Sequence, residues 1–311
     1  MVFLLAALLP GLYWQGGPET APLLQKAGIT HILVPASRAA SWKNVAGIDA
    51  QIADLQGAQK LPAPGVSFRM SEASATRVPW VTSNGWQFMR RPKGKFYYDV
   101  NGNGAALAAA EAFCYDADAI IKTDASGLEP LGRMLKFLST INPPNGAPVA
   151  DIGFIDDGSP AAGEVMNLLV RDNLLFKVVA SNEPDLKLTV RFGSAEYPAT
   201  AEKNPVVLAQ KIRANLTDDR RSLRMYGTSI VVTRLTAEPG GLRLHLLNYG
   251  AAAGARVGAF RVRVLGRYRK GQLRSFDSPS DQLIEYNASS DATEFTVPGL
   301  KAYAVVNLAK Y

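Results

Sequence analysis

Three features of the sequence predict a mixed architecture: helix-covered parallel sheets first and an all-β sandwich last. Strands and helices alternate through the first two-thirds of the chain, proline- and glycine-rich stretches break it into segments, and short alternating strands fill its end. At roughly 100–200 residues per domain, 311 residues make two or three domains. A hydrophobic content of 47% with 20% charged residues is that of a folded chain and excludes disordered and collagen-like classes. The one cysteine, Cys114, cannot close an internal disulfide, and two distant histidines cannot build a His-rich zinc site. No metal or cofactor is expected. No apolar run reaches the ~18 residues of a membrane-crossing helix, so no transmembrane segment is expected either.

Val2–Leu9 has the length of an export-signal core but lacks a basic start. It reads as a shortened export signal, with a first buried strand as the other reading, and points to an extracytoplasmic protein. Pro18–Ala27 follows as a helix closed by Gly28, then His31–Pro35 as a buried strand. Ile48–Gln59 reads as a helix, Val66–Met70 and Phe96–Val100 as strands, Gly104–Tyr115 as an alanine-rich helix, Ala119–Lys122 as a strand and Leu128–Leu138 as a helix. Near-continuous apolar strands between helices argue for a parallel sheet. A complete eight-unit barrel needs about 250 residues, more than this segment has.

The proline-dense connector Asn142–Pro148 divides residues 1–145 from a middle segment, 146–228. There Ala150–Ile155, Phe176–Ala180 and Leu188–Phe192 read as strands, with helices at Ala161–Asn173 and Pro205–Asn215, a small open α/β unit. Residues 229–311 read as antiparallel β: Ile230–Ala237 and Leu242–Asn248 flank the hairpin turn Glu238-Pro239-Gly240-Gly241. Strands at Ala259–Leu265, Gln282–Tyr286, Ala292–Val297 and Ala302–Leu308 complete a sandwich. This last segment carries 11 basic against 6 acidic residues. Its arginines, such as Arg261 and Arg263, alternate with valines, which marks a solvated sheet face and gives no case for a nucleic-acid partner.

The order of modules, together with the Tyr13-Trp14 strand, Phe96-Tyr97-Tyr98-Asp99 and Ala117–Asp124, resembles barrel-type β-galactosidases and related glycoside hydrolases. The resemblance implies a shortened TIM-barrel-like domain, a flavodoxin- or glutamine-amidotransferase-like middle domain through which a homo-oligomer would assemble, and a C-terminal β-sandwich. It implies a carbohydrate ligand and cleavage of a glycosidic bond by a carboxylate pair. The alternative is a catalytically inactive carbohydrate-binding or assembly protein on the same scaffold. The middle segment has neither Cys nor His, so amidotransferase chemistry is absent from it.

In parallel α/β sheets the working residues stand at the carboxyl ends of strands. That rule selects Asp99, Asp124 and Glu72 as candidate catalytic acids, since glycoside hydrolysis needs two carboxyl groups facing one bond. Each has a plainer reading: Asp124 as the cap of the helix that follows, Asp99 as the opening of the Asn101–Gly104 turn. Trp14, Trp80 and Trp86, with Asn84 between the last two, are the candidate sugar-binding residues, the competing role being loop packing. Cys114 reads as a buried structural thiol, and Asp156-Asp157 as the turn before a helix. His245 is expected to face solvent beside Arg243.

Overall fold

A computed structural model of the chain describes residues 9–70, 77–141, 146–199, 204–277 and 281–311. Residues 1–8 of the expected export signal, Glu72, and residues 142–145 of the connector lie outside the described residues. Among the described residues no helix is long and apolar enough to cross a membrane.

Six strands make the first sheet: β1 (Gly11–Tyr13), β2 (His31–Val34), β3 (Asp49–Ile52), β4 (Gln59–Leu61), and, after the hairpin β5 (Gly65–Met70) and β6 (Arg77–Thr82), β7 (Lys95–Asp99) and β8 (Asp118–Lys122). Their order is β3-β2-β1-β8-β7-β4, and every neighbouring pair is parallel. Hairpin aside, the sequence order is cyclic around this sheet, with one break between β3 and β4. Alternation along each strand sends Leu12, Ile32, Val34, Phe96, Tyr98, Ala119 and Ile121 into the main core. The helices α1 (Ala21–Lys26), α2 (Ala36–Trp42), α3 (Gly85–Arg90), α4 (Asn103–Cys114) and α5 (Ala125–Leu138) add to that core, which continues into the middle segment through Ile152, Phe154 and Leu169. Tyr13, Leu33, Tyr97 and Ile120 alternate with these core residues and stay outside the core.

Helix α4 is buried all round, from Gly104 to Cys114, and its alanines let the sheet, α5 and the sandwich approach it closely. Its one charged residue, Glu111, is fully buried. The carboxylate accepts from Ser83 Oγ (3.1 Å), Asn84 N (2.7 Å), Asn84 Nδ2 (3.0 Å), Tyr98 OH (2.7 Å) and Tyr249 OH. Burial, then the Glu111 charge, pushes both phenols well above the ordinary tyrosine range, so they stay protonated donors.

The connector's end supplies the short β9 (Ala147–Pro148). The middle sheet is parallel, β10 (Ile152–Ile155) between β11 (Phe176–Val178) and β12 (Leu188–Arg191), with α6 (Pro160–Arg171) and α7 (Pro205–Leu216). Both helices start as the sequence indicates, with Ser159 and Asn204 as side-chain caps and proline at the first turn. Asp156 and Asp157 serve this turn: Asp156 pairs with Arg90 of α3 at 2.7 Å, and Asp157 accepts from Ser159 N.

The final strands are β13 (Leu223–Tyr226), β14 (Val231–Glu238), β15 (Gly241–Asn248), β16 (Phe260–Leu265), β17 (Tyr268–Ser275), β18 (Ile284–Ala288), β19 (Ala292–Val297) and β20 (Tyr303–Lys310). They form two antiparallel sheets, β17-β20-β15-β14-β9 and β13-β16-β19-β18. Leu244, Leu246, Val306 and Leu308 meet Val262, Val264, Phe295 and Val297 in a core of their own. The β14–β15 hairpin turns over Pro239-Gly240, where Gly240 takes φ +80°, the position a type II turn reserves for glycine. Arg261 and Arg263 lie on the outer face in cross-strand ion pairs with Glu294 and Asp291.

Some expectations are corrected. The segment read as a helix at Ile48–Gln59 is β3, a loop and β4: pairing with β2 and β7 outweighs its local helical preference, and Gly57 at φ +81° breaks it. Two strands from before residue 229 join the final sheets, β13 pairing with β16 and β9 with β14. His245 does not face solvent. Both it and Arg243 are buried, and His245 Nδ1 lies 2.7 Å from Tyr303 OH. The reason is that the second face of this sheet is also covered: Leu247 and Tyr303 pack into the main core beside α4.

Removing the Glu111 carboxylate strands its buried donors, so Glu111→Ala is expected to cost about 3–5 kcal/mol in urea unfolding, with Glu111→Gln losing less. Burial, then Arg234 and Arg243, holds His245 well below the ordinary histidine value. As pH falls below about 6.5 the unfolded chain takes up a proton that the folded chain refuses, and stability drops by up to about 1.4 kcal/mol per pH unit. Melting curves between pH 8 and 5 are expected to show this slope, reduced in His245→Gln.

Candidate functional site

The carboxyl edge of the first sheet gathers charge from three neighbouring strands. Asp99 ends β7 beside Lys122 of β8, in register, and Lys122 Nζ donates to Asp99 Oδ2 at 2.8 Å. Lys60 of β4 approaches the same oxygen at 3.8 Å. Two residues past Lys122, Asp124 caps α5, its Oδ1 accepting from Ser126 N (2.9 Å) and Ser126 Oγ (2.5 Å). The two strand-to-helix loops are cross-linked, since Asn101 Oδ1 accepts from Asp124 N and Ser126 Oγ accepts from Gly102 N. The Ser126 hydroxyl, more than any other group, holds the exposed Asp124 carboxyl below the ordinary aspartate range.

Ser126 also lines a cleft of about 450 Å³ between the first turns of α4 and α5 and the sandwich segment. Glu129 and Arg133 of α5 face Phe276, Asp277 and Lys301 across it. Asp277 is clamped by Arg133 at 2.5 Å and Lys301 at 2.8 Å. Sequence reasoning passed over these four charged residues, because nothing in the chain signals that positions 129–133 meet 277–301. The i,i+4 spacing of Glu129 and Arg133 on an exposed helix face was the one available hint.

The structure brings Asp99 and Asp124 to one edge, while Glu72 lies outside the described residues. It does not bring the aromatic candidates together. Trp14 is buried, with Nε1 donating to Thr20 Oγ1 at 2.8 Å. Trp80 is half-buried under the Arg171 guanidinium, 3.6 Å from the ring centroid. Trp86, on α3, rests against Gly163 of α6 so closely that a Cβ there would come within 2.8 Å of its ring. Asn84 is fully buried and serves Glu111, Gln87 and the Pro62 carbonyl. The Trp80–Trp86 stretch is therefore a packed corner between the first and middle sheets rather than an open groove. A polar Asn between two indoles looks like a loop in sequence, yet here its amide satisfies a buried charge.

No family model and no curated protein matches the chain. Among solved structures it is similar to α-L-fucosidase isoenzyme 2 from Paenibacillus thiaminolyticus, with TM-score 0.55 and 10% identity over 73% of this chain and 62% of that one. It is also similar to a rhamnosidase from Novosphingobium sp. PP1Y, with TM-score 0.45 and 12% identity over 70% and 31% of the two chains. The chain thus spans less than two-thirds of either protein. The fucosidase likeness is one of fold. These neighbours are glycoside hydrolases, the class that the module order resembles.

Because Trp86 fills the α3–α6 contact, Trp86→Ala is expected to lower stability by about 2 kcal/mol in thermal or urea unfolding. A variant that melts with the parent chain would return Trp86 to the ligand-facing role.

Proposed function

We propose that the chain is a carbohydrate-active protein of glycoside-hydrolase type that cleaves a glycosidic bond at the carboxyl edge of its first sheet. The observation that carries this reading is the sheet: six parallel strands in cyclic order, ending in Asp99 and, just past β8, Asp124, beside an open cleft. In this reading residues 1–145 are a shortened barrel opened between β3 and β4. Residues 146–222 form the flavodoxin- or amidotransferase-like module, and the sandwich starts at β13. The fold likeness to a fucosidase supports the scaffold and makes α-L-fucosides a first substrate to try.

The roles follow from the environments. Glycoside hydrolysis needs one ionised carboxylate and one protonated carboxyl. Asp124, held ionised by Ser126, suits the base or nucleophile. Asp99 is engaged by Lys122 and Lys60, which suits it to orienting the site. Glu72, the third acid that the sequence offers, is proposed as the proton donor from the sequence alone.

A panel of nitrophenyl and native glycosides tests the assignment. Asp124→Asn is expected to lower turnover by about 10²–10⁴-fold while the helix keeps its cap. Glu72→Gln is expected to spare substrates with activated leaving groups, which need no proton, and to lose the native ones. Since Asp124 must be ionised, the acid limb of kcat is expected below the ordinary aspartate value of about 3.9. Sugar binding without turnover across the panel would instead support the non-catalytic reading, which has in its favour that Asp124 is already engaged as a cap.

A further inference from the structure

Three arginines converge on one groove where the middle segment meets the sandwich. Arg171 ends α6, Arg213 lies in the last turn of α7, and Arg221 lies in the link to β13. With Asp172, Thr228 and Ser229 they line a space of about 470 Å³. Arg221 is 5% exposed. Its Nη1 donates to Asp218 Oδ1 at 3.1 Å, and its Nη2 to the carbonyls of Asp172 and Asn173 at 3.3 Å. Its Nε is buried and donates to no described group. Arg213 Nη2 reaches the other Asp218 oxygen at 3.4 Å. The Asp218 carboxylate, 48% exposed, thus sits between two guanidinium groups with one oxygen on each, at ordinary hydrogen-bond distance from Arg221 and at a longer 3.4 Å from Arg213. The stack on Trp80 fixes the third guanidinium, that of Arg171.

We propose that this groove binds an oxyanion, the carboxylate or sulfate ester of an acidic glycan, and that Asp218 is the internal stand-in which the ligand displaces. Guanidinium forks match such groups in shape and charge. The groove's lining offers three cationic forks and two hydroxyls against one carboxylate, Asp172. With Asp218 counted, three guanidinium groups face two carboxylates, an excess that favours an anion over a neutral sugar and repels a cation. The Asp172 and Asn173 carbonyls just past α6 take up one nitrogen of Arg221, leaving the Arg213 and Arg221 edges facing Asp218 for exchange. The glycan part rests on the reading under Proposed function. The oxyanion part does not.

The test is calorimetric titration of the full chain at low salt with sodium sulfate, a glucuronate-containing disaccharide, a sulfated monosaccharide and neutral cellobiose. The acidic probes are expected to bind and cellobiose not to, with binding lost at high salt. Arg213→Gln, at an exposed position, is expected to weaken the acids about fivefold, and Asp218→Ala to tighten them about fivefold by removing the competing carboxylate. A merely structural Asp218 predicts no gain, so a weakened or unchanged Asp218→Ala overturns the proposal even where Arg213→Gln fails to fold. Sulfate binding indifferent to both variants, an adventitious ion only, overturns it as well. Disaccharide against monosaccharide sulfate separates uronate from sulfate-ester recognition, either of which supports it. Acid binding without glycoside turnover keeps the groove and removes the hydrolase reading, and turnover without acid binding does the reverse.

Discussion

The arrangement depends on one buried charge. Glu111 sits on a helix with no solvent-facing side, and a carboxyl group in such a place is tolerated only when its oxygens are fully hydrogen-bonded. Its donors come from three places: Tyr98 on the first sheet, Ser83 and Asn84 before α3, and Tyr249 in the turn after β15. Satisfying Glu111 therefore fixes the sandwich against the sheet. The same turn carries Ala251, and the same helix carries Asn103 and Ala106, which are walls of the 450 Å³ cleft. The cleft is as well defined as the hydrogen bonds beneath it.

A second constraint is the parallel direction of the first sheet. Parallel strands deliver all their carboxyl ends to one edge, and the loops that leave them start helices there. Lys60, Asp99 and the Lys122–Asp124 stretch are far apart in sequence, yet they meet because β4, β7 and β8 are neighbours in register. The cross-links through Asn101 and Ser126 then hold the two loops as one unit. Chemistry that requires placement within roughly half an ångström is better served by such a tied edge than by a free loop.

Much of this was legible in the sequence, and the failures have physical causes. The alanine-rich segment 104–115, the periodic segment 128–138 and the Pro-Gly hairpin were legible directly because local preference and tertiary packing agree there. Ile48–Gln59 failed because sheet pairing overrides a helical pattern without local warning. His245 failed because alternation identifies two faces of a strand but not that both are covered. The strand-end rule anticipated the positions of Asp99 and Asp124 at the sheet's carboxyl edge, while the cleft's Glu129, Arg133, Asp277 and Lys301 depend on a contact between distant segments. The one legible trace of the hub was a lone glutamate in the run Ala105–Cys114, a charge in an otherwise apolar helix.

Under the function proposed above, the structural and chemical roles of Asp124 need not compete. The hydrogen bonds from Ser126 that make it a cap are the same ones that lower its proton affinity, and a carboxylate that must act as base or nucleophile has to be ionised and aimed. Capping supplies both properties, but it occupies one oxygen. Only Oδ1 takes the Ser126 bonds, which leaves Oδ2 on a side chain already oriented at the strand edge. The same logic separates it from Asp99, whose Oδ2 is committed to Lys122 and faces Lys60 as well. On the proposed reading, Asp124 is therefore the better suited of the two acids, since hydrogen bonds fix its carboxylate without an ion pair to a lysine.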